Sequence, residues 1–186
     1  MDLEFSDEQN MLRDAVSKFC ETEYTFDKRE KIIESNLGHS PDLWKQFAEL
    51  GWLGMPFSEK NGGYNAGPIE LSIIFEEFGK HLVVEPYLSN IVMSGSLLES
   101  TDTDVSKELI NNIITGEKQV SVAFSEPDNG YKFHEISCSV VNNKINGTKS
   151  IVLNAEFADK FLVYLKNENS NALYLIDANT PGLSIN

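Results

Sequence analysis

Val120-Ser121-Val122-Ala123-Phe124-Ser125-Glu126-Pro127 is where this chain changes its hydrophobic period. Before Lys118 the apolar residues recur at helical spacing. From Val120 onward they alternate or form short runs, the pattern of strands. Pro127 removes a ladder donor and Gly130 lets a bulky group come close to the backbone, so the first strand breaks into a turn at Asp128-Asn129-Gly130. The β pattern resumes at Ile136-Ser137-Cys138-Ser139-Val140. The result is a strand–loop–strand module whose loop backbone is free to face a ligand.

Downstream, the spacing predicts strands at 120–125, 136–141, 150–153, 160–165 and 172–176, with hairpin-type turns at Asn142-Asn143 and Asn146-Gly147. Upstream, Ser6-Asp7-Glu8-Gln9 reads as a capping box ahead of the stripe Leu12, Ala15, Val16, Phe19 and Cys20. Ser40 caps a second clear helix, with Pro41 in its first turn, Leu43, Trp44, Phe47 and Leu50 facing inward, and Gly51 at its end. Pro68 opens a third, on which Glu76 and Glu77 read as a solvated pair. Further helices are expected over 87–98 and 106–115. A run of helices followed by a run of strands predicts an α+β protein. Residues 1–118 form an N-terminal all-α helical bundle, and residues 119–186 an incomplete antiparallel β-barrel or sandwich. Leu183 to Ile185 reads as the start of another strand, so the chain is read as truncated.

A net charge of −14 over 186 residues excludes a nucleic-acid-binding role, which needs a basic face. No apolar run is long enough to span a bilayer, and Met1-Asp2-Leu3-Glu4-Phe5 lacks the features of a targeting segment. Cys20 and Cys138 lie far apart and read as reduced thiols, so a cytoplasmic location is expected and the Asn146-Gly147-Thr148 sequon is chance. His39, His81 and His134 are isolated, and no metal site is expected. Dinucleotide, Walker and nucleophile-elbow motifs are absent.

Several short motifs, in order along the whole chain, resemble the acyl-CoA dehydrogenases. They are Phe5-Ser6-Asp7-Glu8-Gln9, Leu50-Gly51-Trp52-Leu53-Gly54-Met55-Pro56, Asn61-Gly62-Gly63, Phe75-Glu76-Glu77-Phe78-Gly79, Ser125-Glu126-Pro127, Gly147-Thr148-Lys149, Ala158-Asp159-Lys160 and Pro181-Gly182-Leu183-Ser184. The resemblance implies an FAD-dependent α,β-dehydrogenation of an acyl-CoA thioester to the trans-2-enoyl-CoA, with reoxidation by an electron-transfer flavoprotein or similar acceptor. It also implies a homo- or hetero-oligomer. FAD would be bound by Phe124 and Ser125, Gly130, and Ile151, Val152 and Leu153. Tyr131, Asn90 and Ser94 would face the substrate.

This chain departs from the family at telling places. Tyr131 stands where a Ser is usual, Ile151 where an aromatic lies against the flavin, and Leu153 where a hydroxyl is offered. The substitutions and Glu85-Pro86-Tyr87-Leu88-Ser89 are similar to subgroups acting on dicarboxylic or steroid side-chain thioesters, several of them heteromeric. The alternative is therefore a non-catalytic partner subunit with a degenerate flavin site. The family's catalytic Glu belongs to a C-terminal helical domain that this sequence does not contain. No residue here is assigned that role, and the chain alone is expected to be inactive. The acidic balance means that any CoA site rests on local cations and backbone dipoles.

Overall fold

The computed structural model describes residues 4–127, 129–130, 132, 135–168 and 170–186. It divides into two compact units, Met1–Glu85 with Ile110–Gly116, and Pro86–Leu109 with Glu117–Asn186.

The first unit is helical. α1 (Asp7–Glu23) begins with the expected capping box: Gln9 donates its backbone N–H to the Ser6 hydroxyl, and its side chain accepts from Ser6 N–H. The charged stretch after it yields α2 (Phe26–Glu34), which buries no residue. α3 (Pro41–Glu49) is capped by the Ser40 hydroxyl and closed by Gly51 in the left-handed region at φ 79°. α4 (Pro68–Lys80) has Glu70 reaching back to Gly67 N–H. Phe47 stands at the centre of the core, with Trp52 at 5.2 Å and Phe78 stacked at 5.1 Å. Two expectations fail here. Leu50, at the C-cap of α3, is half exposed, because it lies beyond the last inward turn. Glu77 is buried and paired with Lys80 at 2.7 Å, whereas Glu76 is solvated.

The second unit opens with a π-helix over Tyr87–Ser94 and continues into α5 (Gly95–Thr101). An α-helix across 87–98 is therefore a correction: the first two turns are wound more loosely. α6 (Asp104–Ile114) follows, its residues from Ile110 onward belonging to the first unit, and the chain then enters β1 (Val120–Ala123) of the second. β2 (Ser139–Val141) and β3 (Lys144–Asn146) form a hairpin across Asn142 and Asn143, at φ 50° and 58°. β4 (Lys160–Asn167) and β5 (Ser170–Asp177) form the long antiparallel pair.

The α+β class stands, but the sheet is mixed and not closed into a barrel. β1 and β2 both run parallel to β4, which the return path through residues 124–159 permits. The strand expected at 150–153 is absent, because Ile151 and Asn154 sit at φ 54° and 57° and interrupt any extended run. The 136–141 strand is shortened to its last three residues, since the N–H groups of Ser137 and Cys138 donate to a carboxylate instead of a ladder. Asn146-Gly147 makes no hairpin. Gly147, at φ 140°, lies so close to Cys138 that a Cβ would stand 2.3 Å from its Sγ. One face of the sheet carries the core of this unit, with Ala123, Cys138, Phe161, Val163 and Leu165 buried and Val152, Tyr174 and Ile176 packed against them. Among the described residues no helix is long and apolar enough to cross a membrane.

Candidate functional site

Two segments leave the sheet side by side. Beyond Ala123 the chain continues through Phe124 and Ser125, and beyond Gly147 it returns through Lys149 to Leu153. Ser150 N–H donates to Ser125 O at 2.8 Å, and Lys149 Nζ to Phe124 O at 3.1 Å. Val152 turns into the core, while Ile151 is 84% exposed and Leu153 45%. Phe124 is stacked on Tyr164 with ring centroids 5.1 Å apart, and its side is partly open. Among the described residues the Ser125 hydroxyl and the backbone N–H groups of Ile151, Val152 and Leu153 have no hydrogen-bond partner. The segments thus offer exposed apolar side chains bordered by free donors.

A left-handed conformation at a β-branched residue costs about 1–2 kcal/mol, and Ile151 adopts one while covering nothing within its own unit's core. Packing within its own unit does not account for that conformation.

Beneath these segments lies a buried charge cluster. Glu126 Oε1 accepts from Lys149 Nζ at 2.8 Å and from Cys138 N–H at 3.1 Å. Its Oε2 accepts from Ser137 N–H at 2.9 Å and from the Ser137 hydroxyl. Burial by itself would raise the Glu126 pKa, but the hydrogen bonds from Lys149, Ser137 and Cys138 win and bring it down to about 2. Ser-Glu-Pro and Gly-Thr-Lys were legible as motifs. That their Glu and Lys meet was not legible, because the two residues are far apart in sequence and each reads singly as a surface charge.

The other expected site residues lie elsewhere. Asn90 and Ser94, on the π-helix, are fully buried and hold β1 from the side. Asn90 Oδ1 accepts from Val120 N–H at 2.8 Å, Asn90 Nδ2 donates to Lys118 O at 3.3 Å, and Ser94 Oγ donates to Val120 O at 2.7 Å. Their polar atoms are thereby occupied by backbone. Gly130 is exposed at φ 52° with open space on its Cβ side. Tyr131 lies outside the described residues. No group of three His, Cys, Asp or Glu among the described residues is placed to hold a metal ion, and Cys20 and Cys138 are free, buried thiols.

Comparison with known proteins agrees with this architecture. Residues 6–117 match the family described as acyl-CoA dehydrogenase, N-terminal domain. The chain belongs to the acyl-CoA dehydrogenase family. It is 28% identical over 199 aligned residues to the acyl-CoA dehydrogenase FadE12 of Mycobacterium tuberculosis, covering 96% of this chain and 49% of FadE12. The ChsE4–ChsE5 complex of Mycobacterium tuberculosis superposes with a TM-score of 0.88 at 20% identity, over 100% of this chain and 51% of the matched one. An acyl-CoA dehydrogenase of Bacillus anthracis complexed with FAD gives 0.86 at 24% identity, over 97% and 32%. At these identities the structural likenesses establish the fold. The chain spans about half the length of the curated relatives it matches.

Proposed function

We propose that this chain supplies the helical domain (1–118) and the flavin-facing part of the β-domain (119–186) of an FAD-dependent acyl-CoA dehydrogenase. The observation that carries this reading is the pairing of Phe124-Ser125 with Lys149-Ser150, next to Ile151 and Leu153, whose exposed apolar side chains and unpaired N–H groups adjoin the Ser125 segment. A flat heteroaromatic ring with hydrogen-bonding edges would be held there by the Ser125 hydroxyl and the amides of 151–153, with Ile151 and Leu153 supplying apolar contact. Bound there, FAD supplies the acceptor for the hydride lost from Cβ of the acyl thioester. The chain's own residues bind and orient the ring and keep water from one face of it. The proton abstraction at Cα falls to a residue outside this sequence. In this reading the family resemblance alone assigns Gly130 to the cofactor and Tyr131 to the thioester. An electron-transfer flavoprotein or similar acceptor reoxidises the flavin, in a cytoplasmic homo- or hetero-oligomer.

A second reading has an observation of its own. Ile151 and Leu153 offer neither an aromatic face nor a hydroxyl, which favours a non-catalytic partner subunit with a degenerate flavin site. The whole gene product decides between them. Stoichiometric FAD in the visible spectrum, together with acyl-CoA-dependent dye reduction, is expected for the enzyme. A colourless protein that co-purifies with a flavin-bearing homologous subunit would overturn that reading and establish the second.

A further inference from the structure

Taking two charges out of water costs several kcal/mol per ion, and well-packed apolar residues often replace a buried pair without loss. The Glu126–Lys149 pair, with side chains only 3% and 8% exposed, therefore calls for a reason other than stability. Its hydrogen bonds supply one. Glu126 collects the N–H groups of Ser137 and Cys138 and the ammonium of Lys149, and Lys149 also reaches Phe124 O. The residues so gathered lie just outside strands: β1 has ended at Ala123, β2 has not begun before Ser139, and 148–153 has no ladder at all. Where the sheet stops, one carboxylate and one ammonium do the work of cross-strand hydrogen bonds.

We propose that Glu126 and Lys149 are positioning residues, which hold Phe124-Ser125 and Ile151–Leu153 at the separation needed to receive a ring between a hydroxyl and a row of amides. This rests on the flavin reading above. It goes beyond that reading by assigning the geometry of the site to two residues that touch no ligand. A pair that only stabilised the fold would change melting temperature and flavin affinity together. A positioning pair changes affinity out of proportion to melting.

The test compares Lys149→Met, Lys149→Arg and Glu126→Asp in the whole gene product with Leu165→Ala, a core truncation in the same unit. FAD affinity is followed by fluorescence quenching and melting by calorimetry. Lys149→Met is expected to weaken FAD at least tenfold beyond what Leu165→Ala does at matched melting temperature, with most of the loss restored in Lys149→Arg. Glu126→Asp, which keeps the charge but shortens the reach, is expected to lose severalfold at nearly unchanged melting, and decides the matter if Lys149→Met does not fold. Equal affinity losses at equal melting would overturn the proposal. Amide exchange in the 186-residue chain is the second arm. Protection at Ser150 is expected to fall in Lys149→Met or Glu126→Asp while β4 and β5 keep theirs, and unchanged exchange there would also overturn it. If the unaltered protein takes up no FAD, the flavin reading fails, while the exchange arm still reports whether the pair holds these segments.

Discussion

Ser125 and Leu153 lie on the two segments proposed to receive the flavin, one with a hydroxyl and the other without. Ser125→Ala removes a donor that has no partner within the described chain, so its loss should be felt by a ligand and hardly by the fold. In the whole protein FAD affinity is expected to drop about two- to tenfold, the equivalent of one hydrogen bond of about 0.5–1.5 kcal/mol. Leu153→Thr should raise it by a similar factor, since Leu153 is nearly half exposed and a new hydroxyl there stays wet when unbound. Fluorescence titration of apo-protein measures both, and an unmoved affinity in both variants would remove these residues from the site. Glu85 gives an independent residue-scale expectation. Burial raises its carboxyl to about 7, against the opposing hydrogen bond from Ser40 N–H, and its Oε2 has no partner. The folded protein thus keeps this proton up to about pH 7, whereas the unfolded chain releases it near 4.5. The contribution is complete below 4.5 and lost as pH rises through 7. Glu85→Gln should flatten this slope, gaining up to about 3 kcal/mol at pH 8 relative to pH 5 in denaturant titrations.

At the scale of elements, local chemistry was legible wherever it was self-contained. The Ser6 capping box, the Ser40–Pro41 start, Gly51 at the end of α3 and the Asn142-Asn143 turn each depend on residues within a few positions, and each stands in the structure. What the sequence could not display was competition for backbone groups. Ile151-Val152-Leu153 has strand composition, yet the left-handed turn at Ile151 overrides it. Ser137 and Cys138 have strand neighbours, yet Glu126 takes their N–H groups. Asn90 and Ser94 read equally well as lining or as core, and β1 occupies them through Lys118 and Val120. Antiparallel pairing was inferred from short turns, but the return of the chain through 124–159 brings β4 in beside β1 in the same direction. The hairpin supplies an element-scale test. Asn143→Val forces a β-branched residue to φ 58° and should cost about 1–2 kcal/mol, whereas Asn143→Gly should be neutral or mildly stabilising. Equilibrium urea unfolding of both variants checks the sign.

For the whole molecule, the acidic balance governs encounters. A CoA thioester carries several phosphate charges, and a chain of net charge −14 repels it at long range. Under the proposed function, the association rate for acyl-CoA is expected to rise as salt is added between low and physiological ionic strength, the reverse of a nucleic-acid binder. Stopped-flow measurement at several salt concentrations reads the slope directly. The same repulsion acts between copies of the chain, and β5 makes that matter. Among the described strands β5 pairs only with β4, so over eight residues its other margin offers backbone donors and acceptors that no described strand takes up, with Leu173 and Leu175 partly exposed beside them. Such a margin is a template for strand addition. Colloidal behaviour then becomes a contest between mutual charge and a sticky border: solutions stay clear when dilute and low in salt, and cloud as screening lets the borders meet.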